Sequence, residues 1–380
     1  MGKRVFIVAG EASGDIHGAN LVKAMSVRDP SLLYRGVGGR QLREARVELI
    51  SDAGEVAVVG LWEVARHLFA IARLFRRATT ALHIWRPHLL ILIDYPEFNL
   101  HLARRAKQLG IPVMYYIGPQ LWAWRSGRVK TIRRRVDRMV VIFPFEENLY
   151  RQAGVPVSFV GHPFLDAVTV RDREELRRRV PVSVGGRPLV GLLPGSRENE
   201  VRALLPIMLD AAVLLVEKIP DVHFLLPLAS TIRLDHVRRV LRGRDLPLTV
   251  IEHRTHEVIQ ACDLIVAASG SVTLEAAILD TPLVVIYKVH PITYEVGRRL
   301  IRVTHIGLVN IIAGETVAPE LIQDQATAEG IAEEVLGILG DPGRQAWIRN
   351  RLAAVRRSLG SPGASTRAAE IALSLMGDTR

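Results

Sequence analysis

Short apolar runs recur along this chain, each closed by a small or charged turn and followed by residues with helical spacing. Runs at 5–9, 89–93, 112–117, 139–143 and 157–160 predict strands of a first series. A second series begins at 189–193 and continues at 223–227, 248–251, 264–268 and 283–287. Between them, periodicity predicts helices over 17–25, 61–77, 127–138, 198–216 and 273–279, with further helices at 345–359 and 364–376. Residues 89–93 are purely aliphatic, as a central strand covered on both faces requires. Residues 36–39 (GVGG) predict a loop after a weak second strand. Strands alternating with helices predict parallel sheets. The charged, then Pro- and Gly-containing stretch 166–187 predicts a linker. The domains expected are thus 1–165 and 188–345, each Rossmann-like, with 346–380 packing back across both. The fold class is α/β, with strand-end turns of the two halves expected to face across a cleft.

Composition adds a sign to this picture. The 380 residues carry a formal charge of +11, mostly as arginine, and 49% of them are hydrophobic. That balance favours an anionic partner: nucleic acid, an anionic membrane surface or a phosphorylated substrate. The basic run 127–138 lacks interleaved aromatics and reads as a solvated face, so no nucleic-acid partner is expected. One cysteine, Cys262, excludes an internal disulfide and a Cys-based zinc site. The N-terminal apolar run is too short for a signal peptide and no apolar run is long enough to span a bilayer. A soluble intracellular protein is expected.

Candidate chemistry gathers at the strand ends. Gly10-Glu11-Ala12-Ser13-Gly14-Asp15 closes the first strand, at the edge where open α/β sheets bind ligands. Glu11 and Ser13 are candidates there, or Ser13 or Asp15 simply caps the helix. Asp94, directly past the aliphatic strand, is a candidate general base or a cap. Gly118 to Trp124 is an aromatic loop that faces a ligand or anchors itself in the core. Arg197, in Pro194-Gly195-Ser196-Arg197, has the chemistry to pair with a diphosphate. The turn Ser269-Gly270-Ser271 leads into a helix start, with Glu275 a turn later. It is either a nucleotide-sugar cradle, with phosphates on the turn and ribose on Glu275, or an ordinary βαβ turn with a solvated Glu. On the helix 61–77 one wide arc carries Leu61, Trp62, Leu68, Phe69, Ile71 and Phe75, flanked by Arg66, Arg73 and Arg77. It packs on the sheet as core, or meets an anionic membrane or an acyl chain. His253 and His256 have no third ligand in sight and read as a helix cap. Walker A, G-x-G-x-x-G, H-E-x-x-H and Asp-x-Asp patterns are absent, so neither a metal nor a cofactor is expected.

Together these motifs resemble a known family. The Gly10–Asp15 turn, Asp94-x-Pro-x-Phe98-Asn99, Gly118-Pro119-Gln120-x-Trp122-Ala123-Trp124, Leu193-Pro194-Gly195-Ser196-Arg197, the 269–275 turn and Leu308-x-Asn310 occur in this order in lipid-A-disaccharide synthases, along essentially the whole chain. The resemblance implies an inverting glycosyltransferase of the GT-B fold. It would join UDP-2,3-diacylglucosamine to 2,3-diacylglucosamine 1-phosphate, forming a β-1,6-linked disaccharide and UDP. It further implies Glu11, Ser13 and Asp94 near the chemistry. UDP would rest on Ser196, Arg197, Gly270, Ser271, Glu275 and Asn310. Trp62, Leu68, Phe69 and Phe75 would face lipid. Implied as well are a homodimer and a peripheral place on the cytoplasmic, anionic face of the inner membrane. The alternatives are another GT-B transferase and a UDP-sugar epimerase of the same fold.

Overall fold

The computed structural model describes the backbone of residues 2–52, 63–122, 126–180, 186–300 and 303–377, and for residues 52, 63–68, 126, 292, 296, 297, 299 and 300 the backbone alone. The chain forms two units: Met1–Asp166 with Leu359–Arg380, and Ala167–Ser358. The first holds a parallel sheet of β1 (Arg4–Ala9), β2 (Leu33–Gly38), β3 (Glu48–Asp52), β4 (Leu89–Ile93), β5 (Val113–Tyr116), β6 (Arg138–Val141) and β7 (Val157–Phe159), in the order β3-β2-β1-β4-β5-β6-β7. The second holds β8 (Leu189–Leu193), β9 (His223–Leu228), β10 (Leu248–Glu252), β11 (Leu264–Ala268), β12 (Leu283–Tyr287) and β13 (Glu320–Ile322), in the order β10-β9-β8-β11-β12-β13. Each pairing is parallel, with helices on the crossovers.

The aliphatic run of β4 is buried throughout and lies between β1 and β5, in register Val5↔Leu89 to Ala9↔Ile93 on one side. Burial of both faces is what such a sequence requires. The GVGG stretch is a correction: Gly36 to Gly38 belong to β2. Gly36 pairs with Ile7, and a Cβ at Gly36 would overlap the Ile7 carbonyl oxygen. Glycine there reflects close backbone approach inside a sheet, not a loop. Asp15 does not cap its own helix. It reaches from the helix Ala12–Arg28 to accept from the backbone N–H groups of Gly39, Gln41 and Leu42, at the start of the helix Arg40–Glu44.

The span expected as linker contains the helix Arg173–Arg178, whose Arg177 pairs with Asp263 of the second unit at 3.0 Å. The tail divides. The helix Pro342–Ser358 stays with the second unit, against Val272–Ile278. The helix Ala364–Gly377 lies on Ala12–Arg28, and Arg367 binds the Val160 carbonyl at 2.7 and 2.9 Å. Among the described residues no helix is long and apolar enough to cross a membrane.

Candidate active site

Each sheet has a point where its strand order reverses. In open parallel sheets ligands bind beyond the carboxyl ends of the strands there. In the first unit that point lies between β1 and β4, so the turns carrying Glu11 and Asp94 are neighbours. In the second it lies between β8 and β11, so the turns carrying Arg197 and Ser269–Glu275 are neighbours. The sheet order selects the same turns that the sequence marks for chemistry.

At the first edge the backbone is strained. Asp94, Tyr95 and Ile117 all have positive φ, at 47°, 46° and 55°. Each such residue costs on the order of 1 kcal/mol or more and persists only where its surroundings over-determine it. The Tyr95 ring stacks on Phe98 with centroids 5.3 Å apart. It lies where a Cβ at Gly10 would come within 2.5 Å, so the glycine makes room for it. The Asp94 N–H donates to the Ile117 carbonyl at 3.0 Å. The Asp94 carbonyl accepts from Asn99 Nδ2 and Tyr115 Oη, both at 2.6 Å. Burial, then the nearby charge of Glu11, push the Asp94 carboxyl up to about 6, against a backbone hydrogen bond from Tyr95. Glu11 and Ser13 are exposed at the start of the helix Ala12–Arg28.

Beside this edge stands an aromatic wall. Trp122 meets the Phe145 ring edge-on, Phe145 stacks on Phe143, and Phe143 and Phe164 flank His162. Behind it Glu146 is buried, accepting from Trp122 Nε1 at 3.3 Å and from the Phe143 N–H at 3.4 Å. Burial pushes the Glu146 carboxyl up to about 8 and His162 down to about 3. Sequence reasoning passed over Glu146. Its signal was available: a strand end followed by Phe143-Pro144-Phe145-Glu146, with the acid at the third helical position, as in a capping box.

At the second edge Arg197 precedes the helix Glu198–Lys218 and is largely exposed. Its guanidinium pairs with Glu200 at 2.8 Å, while the other Glu200 oxygen accepts from the N–H groups of Ser196 and Arg197 at 3.1 and 3.2 Å. The Ser196 and Arg197 amides and the Arg197 guanidinium thus hold a carboxylate. Ser271 stands at the start of the helix Val272–Ile278 without a side-chain capping bond, and its hydroxyl donates to Glu275 Oε1 at 3.2 Å. Glu275 Oε2 lies 3.0 Å from His256 Nε2, so His256 orients that carboxylate from another helix. Asn310 is fully buried. Its Nδ2 donates to the Ala318 carbonyl and Glu320, and its Oδ1 accepts from the N–H groups of Val317 and Ala318. With its hydrogen-bonding capacity spent inside the protein, Asn310 shapes a loop. Glu320 also fixes the turn before the Asn310 helix through the N–H groups of Ile306 and Gly307, and Ser269 holds that turn through the Ile306 carbonyl.

The amphipathic helix is Glu63–Trp85. Trp62 and the Leu68 side chain lie outside the described residues. Phe69 is 75% exposed, and Arg73, Arg76 and Arg77 are exposed as well. Phe75 is half-buried, its ring edge on Phe98 with centroids 5.7 Å apart. Among the described residues no group of three or more His, Cys, Asp or Glu gathers as a metal site would.

The lipid-A-disaccharide synthetase family model matches residues 5–373. Lipid-A-disaccharide synthases of Geobacter sulfurreducens and Syntrophus aciditrophicus are 50% and 52% identical to this chain over 375 residues, 98% of it and 97% and 98% of their own lengths. Among solved structures the chain is similar to a UDP-GlcNAc 2-epimerase of Neisseria meningitidis bound to UDP-GlcNAc. That likeness has a TM-score of 0.64 at 14% identity, over 98% of this chain and 100% of the other. It is also similar to CalG4, the calicheamicin glycosyltransferase, with a TM-score of 0.62 at 15% identity, over 100% and 99%. The fold is that of GT-B glycosyltransferases and epimerases.

Proposed function

The chain belongs to the lipid-A-disaccharide synthase family, and from that premise we propose which residues of each unit serve its reaction. The enzyme is a glycosyltransferase that forms the lipid A disaccharide from a UDP-sugar donor and a phosphosugar acceptor. In the reading favoured here the donor is UDP-2,3-diacylglucosamine and the acceptor 2,3-diacylglucosamine 1-phosphate.

Asp94 is the general base. The acceptor 6-hydroxyl oxygen bonds to the anomeric carbon of the donor as its proton passes to the Asp94 carboxylate. The bond from that carbon to the diphosphate oxygen breaks, its electron pair leaving with UDP, and the configuration inverts. The observation that carries this reading is a strained, half-buried carboxylate at the switch point, raised to about 6. A base with that affinity is ionised at neutral pH yet basic enough to take a proton during attack. Glu11 supports it by raising that affinity, and Ser13, exposed on the same turn as Glu11, serves as a hydrogen-bonding group for the acceptor. On the second unit, Ser196, Arg197, Gly270 and Ser271 take the diphosphate, displacing Glu200, and Glu275 takes the ribose hydroxyls. Asn310 acts through the loop it shapes.

The acyl chains and the charge of both substrates suit a lipid surface. Phe69, with Arg73, Arg76 and Arg77 on the same helix, supports peripheral binding to an anionic bilayer on its cytoplasmic face. A homodimer rests on the family resemblance, and sedimentation checks it. The central test follows disaccharide by mass spectrometry and UDP release in parallel, with both substrates and with EDTA present. Asp94→Asn should lower turnover by about 10²–10⁴-fold with donor binding retained. Near-normal turnover by that variant removes Asp94 as the base, and UDP release without disaccharide removes the proposed acceptor.

A further inference from the structure

Among the described residues no side chain hydrogen-bonds the Asp94 carboxylate, which accepts from the Tyr95 N–H; the Asp94 backbone is what side chains hold. Asn99, fully buried, bridges two successive carbonyls with one amide nitrogen, at 3.1 Å to Ile93 and 2.6 Å to Asp94. Tyr115, buried in the middle of the sheet, donates its hydroxyl to the same Asp94 carbonyl. Ile117, itself in the left-handed region, takes the Asp94 N–H. We infer that Asn99 and Tyr115 are positioning residues for the reaction. By holding the Asp94 carbonyl they keep Asp94 and Tyr95 in consecutive left-handed conformations and so set where the Asp94 carboxylate stands beside Glu11.

The physical argument is one of over-determination. Consecutive non-glycine residues at positive φ relax to ordinary conformations unless something prevents it. A peptide flip at Asp94 would turn its carbonyl away from both donors. Tyr115 would then be left in the core without its acceptor and Asn99 with the Ile93 carbonyl alone, at the cost of a buried unpaired polar group. Asn99 already has one such group, since its Oδ1 has no partner among the described residues. That pattern fits a side chain placed for its nitrogen alone. Tyr115 comes from the strand next to β4 and Asn99 from the helix that follows it, so the clamp closes from independent elements. A shift of about 1 Å in a reacting group costs on the order of 10²-fold in rate, which is the scale on which such a clamp acts.

This inference rests on Asp94 as the base, and its test separates the two. Tyr115→Phe keeps ring and packing and removes only the hydroxyl; Asn99→Ala removes the bridge. Both are assayed with Asp94→Asn across pH 4.5–8.5, with hydrogen exchange confirming the fold. The expected result for Tyr115→Phe is a kcat lowered about 10-fold with KM within twofold. The acidic limb of its kcat/KM profile should move down toward the ordinary carboxylate range, because a released Asp94 regains water. Asn99→Ala should move the same way and further. If Asp94→Asn is inactive while Tyr115→Phe and Asn99→Ala keep the wild-type kcat and acidic limb, the clamp is structural only and the inference falls alone. If Asp94→Asn keeps its turnover, both readings fall together.

Discussion

Asp15 offers a graded test of how the first sheet edge is built. Its Oδ1 accepts from Gly39 N–H at 2.7 Å and Leu42 N–H at 3.2 Å, and its Oδ2 from Gln41 N–H at 2.8 Å, with the side chain buried. A hydrogen bond to an ionised acceptor contributes about 1.5–3 kcal/mol, and an ordinary helix cap about 1 kcal/mol. The bonds share one carboxylate and are not additive, so Asp15→Ala should cost about 3–4 kcal/mol. Asp15→Asn keeps Oδ1 and with it Gly39 and Leu42, but turns an amide donor onto the Gln41 N–H. It should cost roughly half as much. With a urea slope of about 2 kcal/mol/M, the alanine variant loses about 1.5–2 M in midpoint and the asparagine variant under 1 M. Hydrogen exchange by mass spectrometry in rising urea reads this unit by unit. Peptides of 33–52 should lose protection in the stated order, while peptides of the second unit serve as an internal reference. An alanine variant within about 0.5 kcal/mol of wild type would refute the bridging role, the result expected of a solvated side chain. An asparagine variant as costly as alanine would refute the division between the two oxygens.

Two further outcomes follow from the same reasoning. The Glu146 carboxyl is raised from 4.5 to about 8, so within that window the folded chain keeps a proton the unfolded chain has lost. The contribution of Glu146 to stability should therefore fall as pH rises from about 4.5 to 8, by at most about 1.4 kcal/mol per pH unit, and level off above. Glu146→Gln should flatten that slope in pH-dependent melting; an unchanged slope assigns it to other groups. Phe69→Ser should leave the urea midpoint unchanged and weaken binding to vesicles containing anionic lipid. Phe75→Ser should instead lower the first unit's stability by about 2–3 kcal/mol. Equal losses of stability from both would show that Phe69 is core.

The sequence by itself determined the parallel α/β class, most of the strands and the turns where chemistry gathers. Apolar runs closed by small or charged residues are local signals, and each carries its own evidence. It could not order the strands, because register and neighbour choice are set by packing between distant segments. Only the sheet order brings Glu11 beside Asp94 and Arg197 beside Ser269–Glu275. Tertiary structure likewise separated residues of equal sequence standing. Phe69 and Phe75 lie on one predicted arc, yet one faces out and the other meets Phe98. The family resemblance implies UDP contacts at both Asn310 and Glu275, yet Asn310 spends its hydrogen bonds on Glu320 and the 317–318 backbone. Gly36 to Gly38 read as a loop because glycine marks turns, yet in β2 it marks the approach of Ile7. Asn99 sits in a motif with Asp94, but the Tyr115 half of the clamp had no local signature. A carbonyl that receives a tyrosine hydroxyl from the neighbouring strand exists only once the sheet has formed.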